Sequence, residues 1–175
     1  ATRVLAGKII ASRWVKMACQ RHLDDLKRKD LRWDIEGAKK YLDFFEDVLK
    51  LNGGEFEGKP FHLQGWQKFI VGSIFGWKMP DDFRRFNIAF LEIAKGSGKS
   101  PLSAGVAVEL LTIDKEARAE IYSCAADQEQ AKVLFRDAVA MVDQSPGLSE
   151  RILPSGIGEN VWNLAYRETG SWFRT

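Results

Sequence analysis

The chain has 175 residues, of which 45% are apolar and 11% are aromatic. This composition excludes an intrinsically disordered segment and is sufficient to form a folded core. The 26 basic and 24 acidic residues give a net charge of +2, so bulk charge does not mark the chain as a nucleic-acid-binding protein. No apolar run approaches the ~18 residues of a membrane span. Cys19 and Cys124 lack the spacing of a metal or redox motif, so we expect two buried thiols.

The first fifty residues have the spacing of two amphipathic helices. In the first helix, apolar residues recur every three or four positions between Val15 and Leu26, and Ser12 is placed to cap the helix. A second helix is predicted to begin at Asp34 and to end at residues 52–54, where two glycines can adopt the left-handed conformation. The sequence therefore predicts an N-terminal helical segment.

The pattern changes after this segment. Residues 64–77 predict a helix, and its predicted apolar side consists of Trp66, Ile70, Ile74 and Trp77. Residues 86–93, FNIAFLEI, are almost continuously apolar, which is typical of a central strand covered on both faces. We therefore expect a helix followed by a buried strand.

The remaining predicted elements continue this alternation. Residues 102–112 predict a buried helix, residues 119–126 a second strand, and residues 127–142 an amphipathic helix that Asp127 caps. The order strand, glycine-rich loop, helix, strand, helix indicates an α/β fold of the doubly wound kind.

The glycine-rich loop, AKGSGKS at residues 94–100, lies between the predicted strand and the predicted buried helix. It ends as a phosphate-binding loop does, although Ile93 stands where the common pattern G-x-x-x-x-G-K-[ST] has its first glycine. Gly96 and Gly98 allow successive backbone amides to surround a phosphate. Lys99 places a positive charge on the β- and γ-phosphates, and the Ser100 hydroxyl fits a Mg²⁺ shell. The loop therefore predicts a nucleotide site.

These segments resemble the large terminase subunit of tailed double-stranded-DNA phages, the ATP-driven motor that packages DNA into procapsids. The resemblance covers nearly the whole chain, including GGEFEGKPFHLQGWQKFIVGSIFGW at residues 53–77 and YSCAADQEQAKVLF at residues 122–135. The loop of this family lacks the first glycine and carries a basic residue three positions before the final glycine. Ile93 and Lys95 match that variant, so the resemblance implies an intact ATP site.

The resemblance implies a P-loop NTPase fold of the RecA or ASCE-like type, with a parallel sheet and helices on both faces. The expected division is an N-terminal helical segment at residues 1–60 and a partial P-loop ATPase domain at residues 61–175. GSWFRT at the end of the chain resembles the strand just before the acidic Walker B motif. We therefore expect a truncated chain that ends before the Walker B strand, with the nuclease domain absent.

Two further roles follow from the resemblance. Trp66 and Gln67 resemble the adenine-recognition pair of the family, although Gly65 stands where a proline is usual. A packing interpretation remains open, in which Trp66 is core and Gln67 a solvated neighbour. Lys95 stands where many members have an arginine that stabilises the transition state, and lysine, a point charge, is equally suited to attract phosphate in the ground state.

The resemblance implies which residues are catalytic, which bind the nucleotide and which ligands they hold. The catalytic residues are Lys99 and Lys95. The nucleotide-binding residues are Trp66, Gln67, Ala94, Lys95, Gly96, Ser97, Gly98, Lys99 and Ser100. The ligands are ATP and Mg²⁺, with Ser100 on the metal. The implied partners are double-stranded DNA, the portal protein, the small terminase subunit and further copies in a ring, in the cytoplasm of the bacterial host and without a membrane.

Hydrolysis requires an acidic residue for Mg²⁺ and another to activate water. No apolar run ends in Asp-Glu, Asp114 lies at the end of the helix that follows the loop, and Asp143 lies on a helical face. We therefore expect ATP binding without efficient hydrolysis by these residues alone. Two alternatives remain open: another RecA-like or helicase-like ATPase, and a nucleotide-binding or assembly module without turnover.

Overall fold

The computed structural model describes the backbone of residues 1–175 and every side chain except that of Glu159. The chain forms two compact units that interleave in the sequence. Unit 1 comprises Ala1–Lys40 and Gly65–Phe90, and unit 2 comprises Tyr41–Gln64 and Leu91–Thr175. The division at residue 60 expected from the sequence stays a prediction.

Unit 1 is mainly helical. Its elements are α1 (Thr2–Leu5), α2 (Arg13–Asp25), β1 (Arg32–Trp33), the first part of α3 (Ile35–Asp47), α4 (Gly65–Gly76) and β2 (Trp77–Lys78). The Ser12 hydroxyl caps α2 by accepting a hydrogen bond from the Val15 amide at 3.3 Å. The Asp34 carboxylate accepts from the Gly37 amide in the first turn of α3. The two predicted N-terminal helices are confirmed, but α3 ends at Asp47, before the predicted glycines.

Aromatic packing around His22 holds unit 1 together. The imidazole ring lies edge-on to the rings of Trp33, Phe69 and Trp77, with centroid distances between 4.9 and 5.7 Å. The Trp77 indole N–H donates to His22 Nδ1 at 3.2 Å. Burial lowers the pKa of His22 below its ordinary value. Nearby, the buried Asp25 carboxylate pairs with the Arg85 guanidinium.

Helix α4 confirms the helix predicted over residues 64–77, but with a different buried side. Gln67, Val71 and Phe75 are buried, whereas Trp66 is exposed. Of the predicted side, Trp77 is buried and Ile70 and Ile74 are half-buried, so the buried side of α4 lies about one position from the predicted one. The reason is that α4 is apolar almost all round, so the spacing of apolar residues does not select one face.

Unit 2 contains the rest of α3 and the α/β part of the chain. Its further elements are a 3₁₀ turn (Gly54–Phe56), α5 (Lys99–Thr112), β3 (Glu120–Tyr122), α6 (Gln128–Asp143), α7 (Pro146–Ser149), β4 (Ile152–Ser155), a second 3₁₀ turn (Gly158–Asn160), β5 (Asn163–Tyr166) and β6 (Ser171–Arg174). These elements confirm the predicted helices after the loop and the strand near residue 120. Asp127 caps α6 by accepting from the Gln130 amide at 2.8 Å.

The sheet of unit 2 has the order β3-β6-β5-β4 and is mixed. Only β3 and β6 are parallel, while β6, β5 and β4 pair antiparallel. The predicted parallel sheet is therefore wrong for these strands. The cause lies in the links: only four residues join β5 to β6, and parallel neighbours need a crossover of a dozen residues or more.

The two faces of this sheet differ. On one face Phe173 packs against Phe135 of α6, with ring centroids 5.0 Å apart. On the other face, Tyr122 is exposed and Trp172 is partly exposed. Over the described strands, the expected cover of helices on both faces is therefore present on only one.

The predicted central strand at residues 86–93 is wrong. The backbone there has no regular secondary structure, and the side chains of Ile88 and Phe90 are 84% and 88% exposed. An apolar run indicates that a segment is suited to burial, but a strand also needs a neighbour to complete its hydrogen bonds. The four strands of the unit 2 sheet pair with one another and not with this segment.

Two expectations drawn from composition can be compared with the structure. Cys19 is buried but Cys124 is exposed, so the expectation of two buried thiols holds for only one of them. Within the described part of the chain, none of the helices combines the length and the apolar character needed to cross a bilayer.

Candidate nucleotide-binding site

The glycine-rich loop leads directly into α5 and adopts the backbone that its glycines permit. Lys99 is the first residue of α5, and Gly98 precedes it in the left-handed conformation, with φ of 76°. Gly96 also has a positive φ, of 81°. Side chains with a Cβ rarely adopt this conformation. Residues 96–98 therefore reverse the chain in a way that depends on both glycines.

The N-terminus of α5 has the properties of an anion site. Gly98 offers no side chain to cap the helix, and among the described side chains none donates or accepts as a cap there. The first amides of the helix therefore remain suited to an external acceptor, and the helix dipole favours a negative charge. A Cβ at Gly96 would have no heavy atom within 4 Å, so the loop opens onto free space. These features fit a phosphate group.

Helix α5 holds the loop in place because it is deeply buried. Leu102, Val108 and Leu111 are almost inaccessible to solvent. Gly105 allows α5 to approach Phe45 closely, since a Cβ at this position would lie 2.3 Å from the Phe45 ring. Gly105 therefore positions the loop, a role that we did not predict. A glycine inside a helix of small apolar residues was the available signal.

The polar side chains of the loop differ in exposure. Lys95, Ser97 and Lys99 are exposed, whereas Ser100 is half-buried. The Ser97 amide donates to the Ala94 carbonyl at 3.4 Å, which closes the turn before α5. The two ammonium groups can both reach an anion bound at the helix N-terminus, because lysine side chains are long and flexible.

Two carboxylates were considered for metal binding, and one of them lies far from the loop within unit 2. Asp114 follows α5 at its other end, about 20 Å from Lys99 at 1.5 Å per helical residue. The Tyr41 hydroxyl donates to the Asp114 carboxylate at 2.5 Å. Asp143 is the last residue of α6. Among the described side chains, no group of three or more His, Cys, Asp or Glu residues is arranged to hold a metal ion.

Trp66 and Gln67 lie in the first turn of α4. Gln67 is only 5% exposed, and Trp66 is exposed. This is the reverse of the packing interpretation, in which Trp66 would be core and Gln67 solvated. The pair belongs to unit 1 and the loop to unit 2, so the two predicted halves of the site fall in different units.

Comparison with known proteins gives one family. The model of the family described as "Terminase large subunit, ATPase domain" matches residues 65–160, more than half of the chain. The matched range contains Trp66, Gln67 and the whole of the loop.

Two matches concern individual proteins. The large subunit of the terminase of Enterobacteria phage HK97 is 31% identical over 122 residues, covering 68% of this chain and 23% of the relative. The crystal structure of the HK97 bacteriophage large terminase has a TM-score of 0.63 and 24% identity, covering 78% of this chain and 26% of the other. The chain thus spans about a quarter of the relatives that it matches, and it shares their α/β fold over that part.

Proposed function

Since the chain belongs to the family of phage terminase large-subunit ATPase domains, we propose that it is the ATP-binding part of a motor that packages viral double-stranded DNA into procapsids by hydrolysing ATP. The observation that carries this proposal is the glycine-rich loop at the buried helix α5, inside the range matched by the family model. The family match favours this function over that of another RecA-like or helicase-like ATPase.

In this proposal the loop binds the triphosphate of ATP. The amides of Gly96 and of residues 98–100 donate to phosphate oxygens at the N-terminus of α5, where the helix dipole adds a favourable field. Lys99 contacts the β- and γ-phosphates, and Ser100 provides a hydroxyl to Mg²⁺, which neutralises charge on the phosphates. We propose on the family resemblance that the loop is that of a P-loop NTPase of the RecA or ASCE-like type. The left-handed backbone at Gly96 and Gly98 supports the phosphate-binding loop itself.

Lys95 has a different role in the proposal. It is exposed in the turn before α5, so its ammonium group can approach a phosphate bound at the helix N-terminus. A lysine gives a single mobile charge, whereas an arginine can bridge two oxygens. We assign Lys95 to the attraction of phosphate in the ground state. Kinetic measurements decide whether Lys95 also stabilises the transition state.

Trp66 and Gln67 provide the adenine side of the site in the proposal. A primary amide can donate and accept at the same time, which suits the edge of adenine. The exposed Trp66 indole offers a flat surface for the base.

The proposed function separates binding from hydrolysis. Phosphoryl transfer depends on positioning and on charge around the γ-phosphate. Asp114 is about 20 Å along α5 from Lys99, and it already accepts a hydrogen bond from Tyr41. We therefore propose that residues 1–175 bind ATP with little turnover. Efficient hydrolysis then requires carboxylates that Asp114 and Asp143 do not supply.

The proposed partners follow from the family. They are double-stranded DNA, the portal protein, the small terminase subunit and further copies of the chain in a ring. The proposed location is the cytoplasm of the bacterial host, where procapsids are filled. These partners belong to the whole motor, of which this chain corresponds to about a quarter in length.

Titration with a fluorescent ATP analogue tests the phosphate site. Lys99→Ala removes the charge that faces the phosphates, so we expect affinity to fall by at least about tenfold, the effect of losing roughly 1.4 kcal/mol. Lys29→Ala removes another exposed lysine, in unit 1, and serves as the matched control. Equal affinity of Lys99→Ala and Lys29→Ala would show that the loop is not the phosphate site.

Nucleotide preference tests the adenine side. Gln67→Ala should reduce ATP affinity more than GTP affinity, because the lost amide reads the base and not the phosphates. Competition by ATP and GTP against the same analogue measures both. Equal losses for the two nucleotides would indicate that Gln67 only packs.

Phosphate release decides between an ATPase and a module without turnover. The 175-residue chain should release phosphate at the background rate while binding ATP. Steady-state release that Lys99→Ala abolishes would show that a carboxylate within residues 1–175 completes the site, and the separation of binding from hydrolysis would be wrong.

A further inference from the structure

The N-terminal part of unit 1 has an unusual charge. Residues 1–23 contain five Arg or Lys residues and no Asp or Glu, although the whole chain has a net charge of only +2. The rest of the chain therefore carries a net negative charge. Such an asymmetry favours binding to an acidic surface.

Part of this charge lies on an exposed surface of α2 that is also apolar. We call Arg13, Trp14, Lys16 and Met17 the basic apolar face, because at 3.6 residues per turn they lie within about half of the circumference of the helix. Trp14 is 67% exposed, Met17 is exposed, and the Arg13 guanidinium lies 4.6 Å from the centre of the Trp14 ring. Trp, Met and Arg are the residues enriched at the centres of protein interfaces. Contact with a phosphate backbone would use the cations but leave Trp14 and Met17 without a role.

A surface of complementary chemistry lies in unit 2 of the same chain. Residues 53–58, the acidic loop, contain Glu55, Phe56 and Glu57, and the Phe56 ring is 52% exposed. The surrounding stretch, residues 41–59, has five carboxylates and two lysines, a net charge of −3. The acidic loop thus presents an exposed aromatic ring and a negative charge, opposite in sign to the basic apolar face. The Lys59 ammonium lies 5.5 Å from the centre of the Phe56 ring, so this ring already accommodates a cation.

The acidic loop is held in one conformation. The Glu57 carboxylate accepts hydrogen bonds from the Gly53 amide, at 2.6 Å, and from the side chain of Gln144, which directly follows α6. The Asn52 side chain donates to Asp137 of α6 at 3.2 Å. Binding through this loop therefore loses little conformational entropy, which increases affinity for a given contact area.

We propose that the basic apolar face of one copy of the chain binds the acidic loop of a second copy. The two surfaces differ, so the contact is heterologous, and every copy retains one unused face and one unused loop. Association therefore continues beyond the dimer and closes into a ring if the rotation between copies permits. The proposed function includes a ring of copies but does not say which surfaces form it. This inference rests only on the ring and not on the rest of the proposed function.

Sedimentation velocity of the 175-residue chain over a range of concentrations is the first test. We expect species larger than the dimer to grow with concentration and to decline as salt is raised, because salt screens contacts between exposed charges. A chain that stays monomeric up to ~1 mM, the upper limit of weak contacts, would overturn the proposal.

Two double variants test the surfaces. Arg13→Ser with Trp14→Ser removes the face, and Glu55→Ser with Phe56→Ser removes the loop. Each alone should weaken self-association at least about tenfold, as expected for an aromatic residue at the centre of an interface. Lys29→Ser with Phe83→Ser removes an exposed cation and an exposed aromatic ring elsewhere in unit 1, and this control should associate like the unchanged chain.

An equimolar mixture of the face variant and the loop variant gives the decisive result. One intact face and one intact loop then remain, so at a concentration where neither variant associates alone the mixture should form 1:1 dimers and nothing larger. Dimer formation on mixing also shows that both variants are folded. Failure to form dimers, or association of either variant alone at the unchanged level, would overturn the proposal.

Two control measurements distinguish contact between copies from binding of DNA and from binding of ATP. If a short DNA duplex binds the unchanged chain but not the face variant while the chain stays monomeric, the face is a nucleic-acid surface and the proposal is wrong. ATP titration of the same samples separates this inference from the proposed function. ATP binding without self-association contradicts only this inference, and self-association without ATP binding contradicts only the proposed function.

Discussion

Two apolar segments flank the glycine-rich loop, and the structure treats them differently. Residues 86–93 precede the loop and are exposed, without helix or strand. Helix α5 follows the loop and is deeply buried, with Val108 and Leu111 almost inaccessible. The two segments have similar apolar character, so their hydrophobicity does not explain the difference.

Backbone hydrogen bonding explains it. A helix satisfies its amides and carbonyls within its own segment, so α5 needs only an apolar surface against which to pack. A strand needs a neighbouring strand as well. In unit 2, β3 pairs with β6, and the links between β6, β5 and β4 direct those strands to one another. Residues 86–93 have an apolar sequence but no pairing partner among the described strands.

The largest effect expected from this comparison is in α5. Leu111→Ala removes a side chain that is fully buried, and the cavity cannot collapse easily beside the packed helices. We expect the free energy of unfolding to fall by about 2–5 kcal/mol. Urea denaturation followed by circular dichroism measures the change. A loss below about 1 kcal/mol would show that α5 is not a packed core element in solution.

A substitution at Gly105 tests whether close approach of α5 to α3 is required. Gly105→Ala would place a Cβ 2.3 Å from the Phe45 ring, within unit 2, and the ring must move. Alanine favours the helix by up to about 1 kcal/mol, but crowding of a packed core destabilises by about 1–3 kcal/mol. We therefore expect a net decrease in stability.

Gly147→Ala is the matched control for Gly105→Ala. Gly147 lies in the short helix α7, and a Cβ there would meet no heavy atom within 4 Å. Its substitution should leave stability unchanged or increased. If both glycine variants are equally stable in urea, the close approach at Gly105 does not constrain α5.

These contrasts show what the sequence could predict. The helices α2 and α6 were predictable because their caps, Ser12 and Asp127, bond to amides only three residues away. The backbone of the loop was predictable for the same reason, since Gly96 and Gly98 determine it locally. The two caps and the loop backbone, which depend on local sequence, were therefore found correctly, whereas the end of α3 was not.

Features that depend on distant partners were not predictable. The pairing of β3 with β6 joins residues about fifty positions apart, and no local pattern indicates it. The burial of Gln67 rather than Trp66 depends on which side of an almost uniformly apolar helix meets its neighbours. Within the candidate site, the phosphate half is thus determined by local sequence, while the adenine half depends on tertiary structure.

The smallest expected effect concerns residues 86–93. Phe90→Ala removes a ring that is 88% exposed, so little buried surface is lost. We expect the free energy of unfolding to change by less than about 0.5 kcal/mol, as for surface substitutions in general. Truncation of a buried phenylalanine would instead cost about 3–5 kcal/mol. The experiment therefore distinguishes an exposed segment from a central strand by a difference far larger than the error of urea denaturation.

Phe83→Ala provides the reference for Phe90→Ala, because Phe83 is also exposed and lies in unit 1. Both variants should unfold at the same urea concentration as the unchanged chain. A loss of more than about 2 kcal/mol in Phe90→Ala alone would mean that residues 86–93 are buried as a strand in solution. The contrast with α5 would then disappear, and the continuous apolar pattern would have been a correct indication of a central strand.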